Sequence, residues 1–571
     1  MSTARYFVNL LTALSLSPSP KAPSHLKPSS SLLGTSFIAN DAKSCTSNDS
    51  RWQFPPSLPV TVPQPQQPDQ KISTIYRYRQ QQGVNLGSWF VLEGWMHPSL
   101  FACASGPQSS EYDFASGFGW NQTLTKLVLE NHWDTFITEQ DFVYLASIGI
   151  NTVRLPIGYW SLGPDGGWMD GTPFESVKEV YTGSWPRVLR AIGTAEKYGI
   201  GILIDLHGAP GSQNGQSHSG TSDGKVGLFG NECYMNKTTD ILAYLAKQLV
   251  NRNNVVGIQL LNEPNNDARL PDFYAKTIDA LRSISPATEK FPFYIHDAFN
   301  VNQYGNFVSD RTDFVVEDHH SYFVYTPSDQ SASATSHTND INSGVLKSLT
   351  STSELGRRNM IIGEWSCALT PQSLSMENHP SDSQRTFCEG QMNIYSEAAA
   401  GWTFWSYNKE DCGDDGGWCF RKAVGTNLPS TFYSFPQSQS NNTAATLLRT
   451  SMIAGSSSSN DLDPILGCIR PASSPSLPTI AATSQKSIAR GYADGFSTAK
   501  VFAQNGLSKL GFRGQYIRDH YDELLKDSSN GMSSDAANRD QYSTWFLKGL
   551  KDAEAQISAF LNGQPVVYPD P

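Results

Sequence analysis

Two glutamates stand where glycosidic-bond chemistry would need them. The apolar run LLNEPNN, residues 260 to 266, ends in Asn262-Glu263-Pro264, and about a hundred residues later MIIGEW ends in Glu364-Trp365. Cleaving a glycosidic bond takes two carboxyls, one to protonate the leaving oxygen and one to serve as nucleophile or base. A lone Glu that follows a core strand and faces water is commonplace, and Glu364 taken singly invites that plainer account. Glu263 is less ordinary, because its flanking Asn and Pro make a polar, stiffened corner that a plain strand end does not require.

A sheet whose strands all finish on one side would bring such ends together. Eight apolar, β-branched or aromatic runs qualify as strands: VNLGSWFV (84 to 91), NTVRLPI (151 to 157), GILIDLH (201 to 207), VVGIQLLNE (255 to 263), PFYIHD (292 to 297), DFVVEDHH (313 to 320), NMIIGEW (359 to 365) and GWTFWSY (401 to 407). Their near-continuous apolar character suits parallel strands covered on both faces. Helix-period segments alternate with them. TEQDFVYLASIG at 138 to 149 opens with Thr138 and Asp141 in capping-box spacing and ends at Gly149, WPRVLRAIGTAEKYG at 185 to 199 also closes on Gly, and TTDILAYLAKQLVNR at 238 to 252 spaces its apolar residues at three and four. Strand and helix alternating eight times predict an α/β fold of the (β/α)₈ TIM-barrel class, with functional groups at the carboxyl ends of the strands. Those ends carry Glu93, Arg154, His207, Glu263, His296 and Asp297, His319 and His320, Glu364, and Trp405.

Composition divides the 571 residues into four parts. Residues 1–75 form a leader: Arg5 precedes the apolar stretch 6 to 16, an export signal without a clean cleavage motif, and 17 to 70 are Ser-, Pro- and Gln-rich, as disordered linkers are. Residues 76–435 are the catalytic barrel, 436–485 a Ser/Thr/Asn-rich linker or insertion, and 486–571 a helical extension with amphipathic segments and no sign of chemistry. A formal net charge of -11 repels phosphate backbones, which argues against a nucleic-acid partner. No run reaches the roughly 18 apolar residues a membrane span needs. Sequons at Asn48, Asn121, Asn236 and Asn441 agree with secretion to a cell wall, and a monomer is expected. Among eight cysteines, Cys412 and Cys419 bracket a Gly-Asp-rich turn and make the natural local pair. No metal is expected: the cysteine turn lacks partner ligands, and adjacent His319 and His320 on a strand face opposite ways. No cofactor is expected either, since GAPGSQNG at 208 to 215 lacks the Lys-Ser/Thr of a nucleotide loop.

The blocks GVNLGSWFVLEGW, VRLPIGYW, IDLHGAPGSQNG, LLNEPN, HDAF, EDHHSY, GEWS and GWTFWSY resemble, in order, those of fungal glycoside hydrolase family 5 enzymes of the exo-β-1,3-glucanase (glucan 1,3-β-glucosidase) type over residues 76 to 430. The resemblance implies a retaining mechanism with Glu263 as acid/base and Glu364 as nucleophile. On that assignment Glu263 stays protonated through a raised pKa while Glu364 stays ionised beside Arg154. By motif position, Tyr322 hydrogen-bonds the nucleophile, Asn262 contacts the sugar 2-hydroxyl, and His207 and His320 bind hydroxyls. Trp405 and Tyr325 offer aromatic platforms, and Glu93 fixes hydroxyls at the closed end of the pocket. The chain departs from the pattern at NGQSHSG (214 to 220), where Gln216 and His218 replace an aromatic residue and an Asn, at Ser88 and Gly94, and in its long helical extension. The expected function is release of glucose from the non-reducing ends of β-1,3-glucan. The alternatives are action on β-1,6-glucan or a glucosylated lipid, or a weakly catalytic wall-binding protein.

Overall fold

In the computed structural model the eight runs become eight parallel strands, β1 (Gln81–Asn85), β2 (Thr152–Gly158), β3 (Gly201–Gly208), β4 (Val255–Gln259), β5 (Phe293–His296), β6 (Val315–Ser321), β7 (Met360–Trp365) and β8 (Gly401–Phe404). The structure describes residues 45–435 except 58, residue 469, and residues 482–564 except 528, 530 and 531. Each strand pairs with its neighbour in sequence, and β1 pairs with both β2 and β8, so the sheet closes into a barrel. Every strand residue is buried except His319, which is half-buried. That double coverage is why the strands read as unbroken apolar runs.

The longer helices are α1 (Gln70–Tyr78), α2 (Gln122–Thr135), α3 (Glu139–Ser147), α4 (Ser184–Lys197), α5 (Glu232–Leu249), α6 (Leu270–Arg282), α7 (Val301–Asp310), α8 (Leu346–Leu355), α9 (Pro380–Ala398), α10 (Ala482–Gln504), α11 (Arg513–Leu525) and α12 (Ala536–Leu561). The start of α3 is as predicted: the Asp141 carboxylate accepts from the Thr138 backbone N–H at 2.8 Å. Gly149 and Gly199, at φ 89° and 70°, end α3 and α4 in the left-handed conformation that glycine tolerates best. No helix of the described residues is long and apolar enough to cross a membrane.

Three expectations need correction. The first strand is Gln81–Asn85, not 84 to 91. Trp89, Phe90, Val91 and Leu92 are buried as a loop over the barrel end, and apolar burial alone does not distinguish such a loop from a strand. Part of the leader is not disordered. Cys45 is bonded to Cys103, Trp52 packs edge-on against Phe118, and Asn253 accepts from the Asp69 N–H at 2.8 Å, so residues 45 to 69, apart from residue 58, run as a strap along the barrel. A strap needs a few anchors rather than periodic apolar residues, so its composition looked like a linker. Finally, α10 begins at 482, inside the expected linker. The export signal, Asn441 and most of 436–485 lie outside the described residues. Cys412 and Cys419 are paired as expected.

The helical extension docks on the barrel's amino-terminal end. Lys509 O accepts from Gln80 N at 2.7 Å, Tyr78 O accepts from Gly511 N at 2.8 Å, and Tyr78 O–H donates to Asp519 at 2.5 Å. Inward-facing Leu203, Tyr294, Val316 and Ile361 share one apolar cluster with Phe502, Phe512, Tyr542 and Phe546. Within the extension, α10 and α12 approach so closely that a Cβ at Gly495 would lie 2.0 Å from the Phe546 carbonyl oxygen. The extension is the floor of the barrel. Phe512→Ala is therefore expected to cost about 3–5 kcal/mol in urea unfolding, and a loss below about 1 kcal/mol would mean that the helices are only appended.

Candidate active site

The site begins with a charge in the middle of the barrel. Arg154, from β2, is completely buried, and its side chain points inward. Its Nη1 donates to Asn85 Oδ1 and to Glu364 Oε1, each at 2.9 Å, its Nε to Gln259 Oε1 at 2.8 Å, and its Nη2 to Asn262 Oδ1 at 2.7 Å. Asp205 Oδ2 lies 3.0 Å from Nη2 and Asp318 Oδ2 3.9 Å from Nε. These partners come from β1, β3, β4, β6, β7 and the loop after β4. Burying charge is costly unless each ion is paired and hydrogen-bonded; Arg154 meets both conditions, whereas Asp205 Oδ1 and Asp318 Oδ1 have no hydrogen-bond partner among the described residues.

Glu364 sits on β7 itself, whereas Glu263 lies past the end of β4 with its backbone at φ 42°, an uncommon conformation for a residue with a side chain. The loop after β3 holds it there. Gln213 Nε2 donates to Asn262 O at 2.9 Å, and Asn214 Nδ2 to Glu263 O at 3.0 Å. Glu364 Oε2 accepts from Tyr322 O–H at 2.8 Å. Between the carboxylates lies His320, with Nδ1 2.7 Å from Glu263 Oε1 and 3.4 Å from Glu364 Oε2, and Nε2 3.3 Å from Asp318 Oδ2.

Electrostatics reverse the expected protonation of the pair. For Glu263, burial works to raise the pKa, but the hydrogen bond and charge of His320 outweigh it and hold the carboxyl well below the usual range. Burial alone would lower His320, yet Glu364, Asp318 and Glu263 drive it well above an ordinary imidazole. Burial pushes Glu364 up to about 7, against the pull of His320 and Arg154 and with the push of Glu263. His320, between the two carboxylates, is thus the group of the three whose charged form is most favoured. The sequence names the three residues but not the imidazole's position between them.

Around this centre, His207 Nδ1 is 2.6 Å from Asp205 Oδ2, and its ring lies parallel to Trp405 with centroids 5.7 Å apart. Asn262 Nδ2 is 3.4 Å from both His207 Nε2 and His218 Nδ1. Glu93 accepts from Trp95 Nε1 at 2.7 Å and is pushed up to about 8 by burial, with that hydrogen bond opposing and the charges of Glu364 and Glu263 adding. Tyr325 is the outlier. It is 68% exposed and touches Tyr322 and Trp418 at the rim rather than flooring a pocket.

The structure adds residues that sequence reasoning passed over. Asp205, Asp318, Asn85 and Gln259 form the polar layer around Arg154, and Trp418 joins the rim. His218 had been noted only as a departure, yet its Nε2 lies 3.6 Å from Glu263 Oε2. Among the described residues, Glu263, His296 and His320 bring ligand-type atoms within 4.8 Å of one another. Both His320 nitrogens already face carboxylates, so this group is accounted for as an ion-pair network. His319 turns the other way, to Asp297 at 2.6 Å.

Arg154→Met is expected to cost about 3–5 kcal/mol at neutral pH by leaving carboxylates buried without a partner. Asp205, pushed up to about 7 by burial against the pull of Arg154, binds its proton more tightly folded than unfolded, so its ionisation destabilises the fold as pH rises from about 4 to about 7, in parent and variant alike. Without Arg154 the carboxyl is raised further, so the loss should be larger above about pH 7 than below it. Melting temperatures of variant and parent on either side of about pH 7 check this, and a pH-independent difference would count against the network.

The family model for cellulase, glycosyl hydrolase family 5, matches residues 115–411. Glucan 1,3-beta-glucosidase 3 of Schizosaccharomyces pombe is 37% identical over 356 residues, spanning 61% of this chain and 73% of its own length. An uncharacterized glycosyl hydrolase of Saccharomyces cerevisiae is 32% identical, over 63% of this chain and 74% of its own. A probable glucan 1,3-beta-glucosidase A of Aspergillus fumigatus is 30% identical, over 57% and 82%. Among solved structures, rutinosidase from Aspergillus niger shares the fold with a TM-score of 0.50 at 19% identity, over 62% of this chain and 99% of that one.

Proposed function

Because the chain belongs to glycosyl hydrolase family 5, we propose that it is a retaining β-glucosidase that releases glucose from the non-reducing ends of β-1,3-glucan. The observation that carries this is the shared imidazole. Glu263 and Glu364 both reach His320 Nδ1, at 2.7 Å and 3.4 Å. Their nearest oxygens are therefore closer than the roughly 6.5 Å at which inverting pairs begin, which favours the retaining arrangement.

In the proposed reaction Glu364 attacks C1, the bond from C1 to the leaving oxygen breaks, and that oxygen takes the proton which Glu263 shares with His320. As Glu364 becomes an ester its charge disappears, and Glu263 then deprotonates a water that attacks C1 and frees β-glucose. Arg154 and Tyr322 keep Glu364 aimed, each through one hydrogen bond, and both favour its ionised form against the burial that raises it. Asn262 faces the 2-hydroxyl, where contacts strengthen in the transition state. His207, Glu93 and Trp405 line the glucosyl pocket, and Tyr325 stacks on the leaving group.

Secretion to the wall is part of the proposal. The disulfides Cys45–Cys103, Cys367–Cys388 and Cys412–Cys419 support it, since such bonds persist in oxidising compartments, and the sequons at Asn48, Asn121 and Asn236 are exposed. A glucosylated lipid is the second reading, favoured by an apolar rim: Trp95, Phe299 and Tyr325 are 50%, 45% and 68% exposed.

Laminarin, a β-1,6-glucan and glucosylceramide, incubated in parallel with product and anomer identified, separate the readings. β-Glucose from laminarin alone supports the first, release from glucosylceramide alone supports the second, and α-glucose sinks the retaining mechanism. Glu364→Gln should abolish turnover while leaving sugar binding by calorimetry within about twofold, because Gln keeps the shape and the acceptor for Arg154 but not the nucleophile.

A further inference from the structure

At the barrel's closed end, away from both glutamates, α11 starts against the turn between α8 and β7. Gly514 makes the contact possible, since a Cβ there would lie 2.6 Å from the Arg357 carbonyl oxygen. The residue before α11, Phe512, offers no side-chain cap; the Arg513 N–H is met by Gly511 O at 2.9 Å, and no side chain caps the N–H groups that follow it. In the turn, Arg357 and Arg358 both adopt left-handed backbone, at φ 61° and 62°, a strained position from which Arg357 reaches the Val308 and Ser309 carbonyls and Gln515.

Arg358 is 6% exposed. Its Nη2 donates to Ser396 O at 3.2 Å and Ala399 O at 2.7 Å, and its Nη1 is 3.7 Å from Glu354, but its Nε has no partner among the described residues. Together with Arg357, it borders a groove of about 770 Å³ whose lining also includes Arg513, Arg518, Arg539 and Lys551. Against six cations the lining supplies two carboxylates, Glu354 and Glu554, while Asp522 beside the groove engages Arg539 at 2.8 Å and Arg518 at 3.9 Å. The positive charges crowd one another. Burial and then the nearby Arg513 pull Arg358 down to about 10, and burial and then Arg518 lower Arg357. In a chain of net charge -11 this is not general surface character.

We propose that this groove is a binding site for a phosphate-bearing ligand, with one phosphate seated on the amino end of α11 between Arg358 and Arg513 and further phosphates reaching Arg518, Arg539 and Lys551. An uncapped helix start supplies N–H donors and a favourable dipole, and guanidiniums supply paired donors of matching geometry. The same chemistry is found on a soluble polyphosphorylated molecule and on a phospholipid headgroup. The site is independent of the glycosidase proposal.

The test uses the full chain, titrated calorimetrically with inorganic pyrophosphate at low salt and, separately, sedimented with phosphatidylcholine vesicles with and without phosphatidic acid. Pyrophosphate binding that weakens with added salt, falls at least about tenfold in Arg513→Glu, and is unchanged in the distant Arg385→Glu is the expected result. Arg358→Gln serves as the second variant should the first fail to fold. Sedimentation only with phosphatidic acid vesicles, lost in the same variants, assigns the lipid source, and pyrophosphate binding without it assigns the soluble one. Glucoside hydrolysis should be the same in Arg513→Glu as in the parent. Absence of binding in both arms, or binding that both groove variants leave unchanged, overturns the proposal.

Discussion

A completely buried guanidinium organises this molecule. Arg154 is tenable only because each of its nitrogens meets an acceptor, and its hydrogen-bond and ion-pair partners are spread over five other strands or their loops. Strand order alone would allow the barrel many small adjustments of register. Six elements that must all deliver an oxygen to one planar group allow very few. The same requirement makes the barrel's middle polar, where stacked Val, Ile and Leu would be usual. Apolar filling is confined to the layer below, at Leu203, Tyr294, Val316 and Ile361, and that layer is what the C-terminal helices cover.

The catalytic layer draws on the same network from above. Arg154 fixes Glu364, Asn262 and Asp205, Asp205 orients His207, and Asp318 holds the lower nitrogen of His320. Because each of these groups is shared, protonation belongs to the set. His320 between Glu263 and Glu364 is the clearest case, since the two carboxylates and Asp318 raise the imidazole while its charge and hydrogen bond lower Glu263. Fixed charges that need no rearrangement when substrate arrives are what electrostatic preorganisation consists of.

Much of this was legible in the residue order. The alternation of strand and helix, the capping signal of α3 and the polar group at each strand end marked both the barrel and the residues that converge at its mouth. What escaped had physical causes. Asp205 and Asp318 sit in the interior of strands that read as apolar, and a charged residue within an otherwise buried run was itself a signal of a paired core. Residues 86 to 92 are as apolar as a strand yet lie in a buried loop. The strap at 45 to 69 is anchored by one disulfide, one Trp and a few backbone contacts, none of which produces a period. Protonation states were least accessible, because they depend on distances among side chains contributed by different strands.

The docked extension also orders events in time. The floor beneath Tyr294 and Ile361 is made by residues that leave the ribosome after every barrel strand has been synthesised. Until then the ring of strands has an exposed apolar underside, and the pairing of Arg79 with Leu510 has no partner to form with. Closure is a contact of very long sequence separation, which slows folding and lengthens the interval during which the nascent barrel offers sticky surface. In this chain a stop codon placed just after residue 435 would yield an intact set of catalytic side chains in a protein prone to aggregate before it could use them.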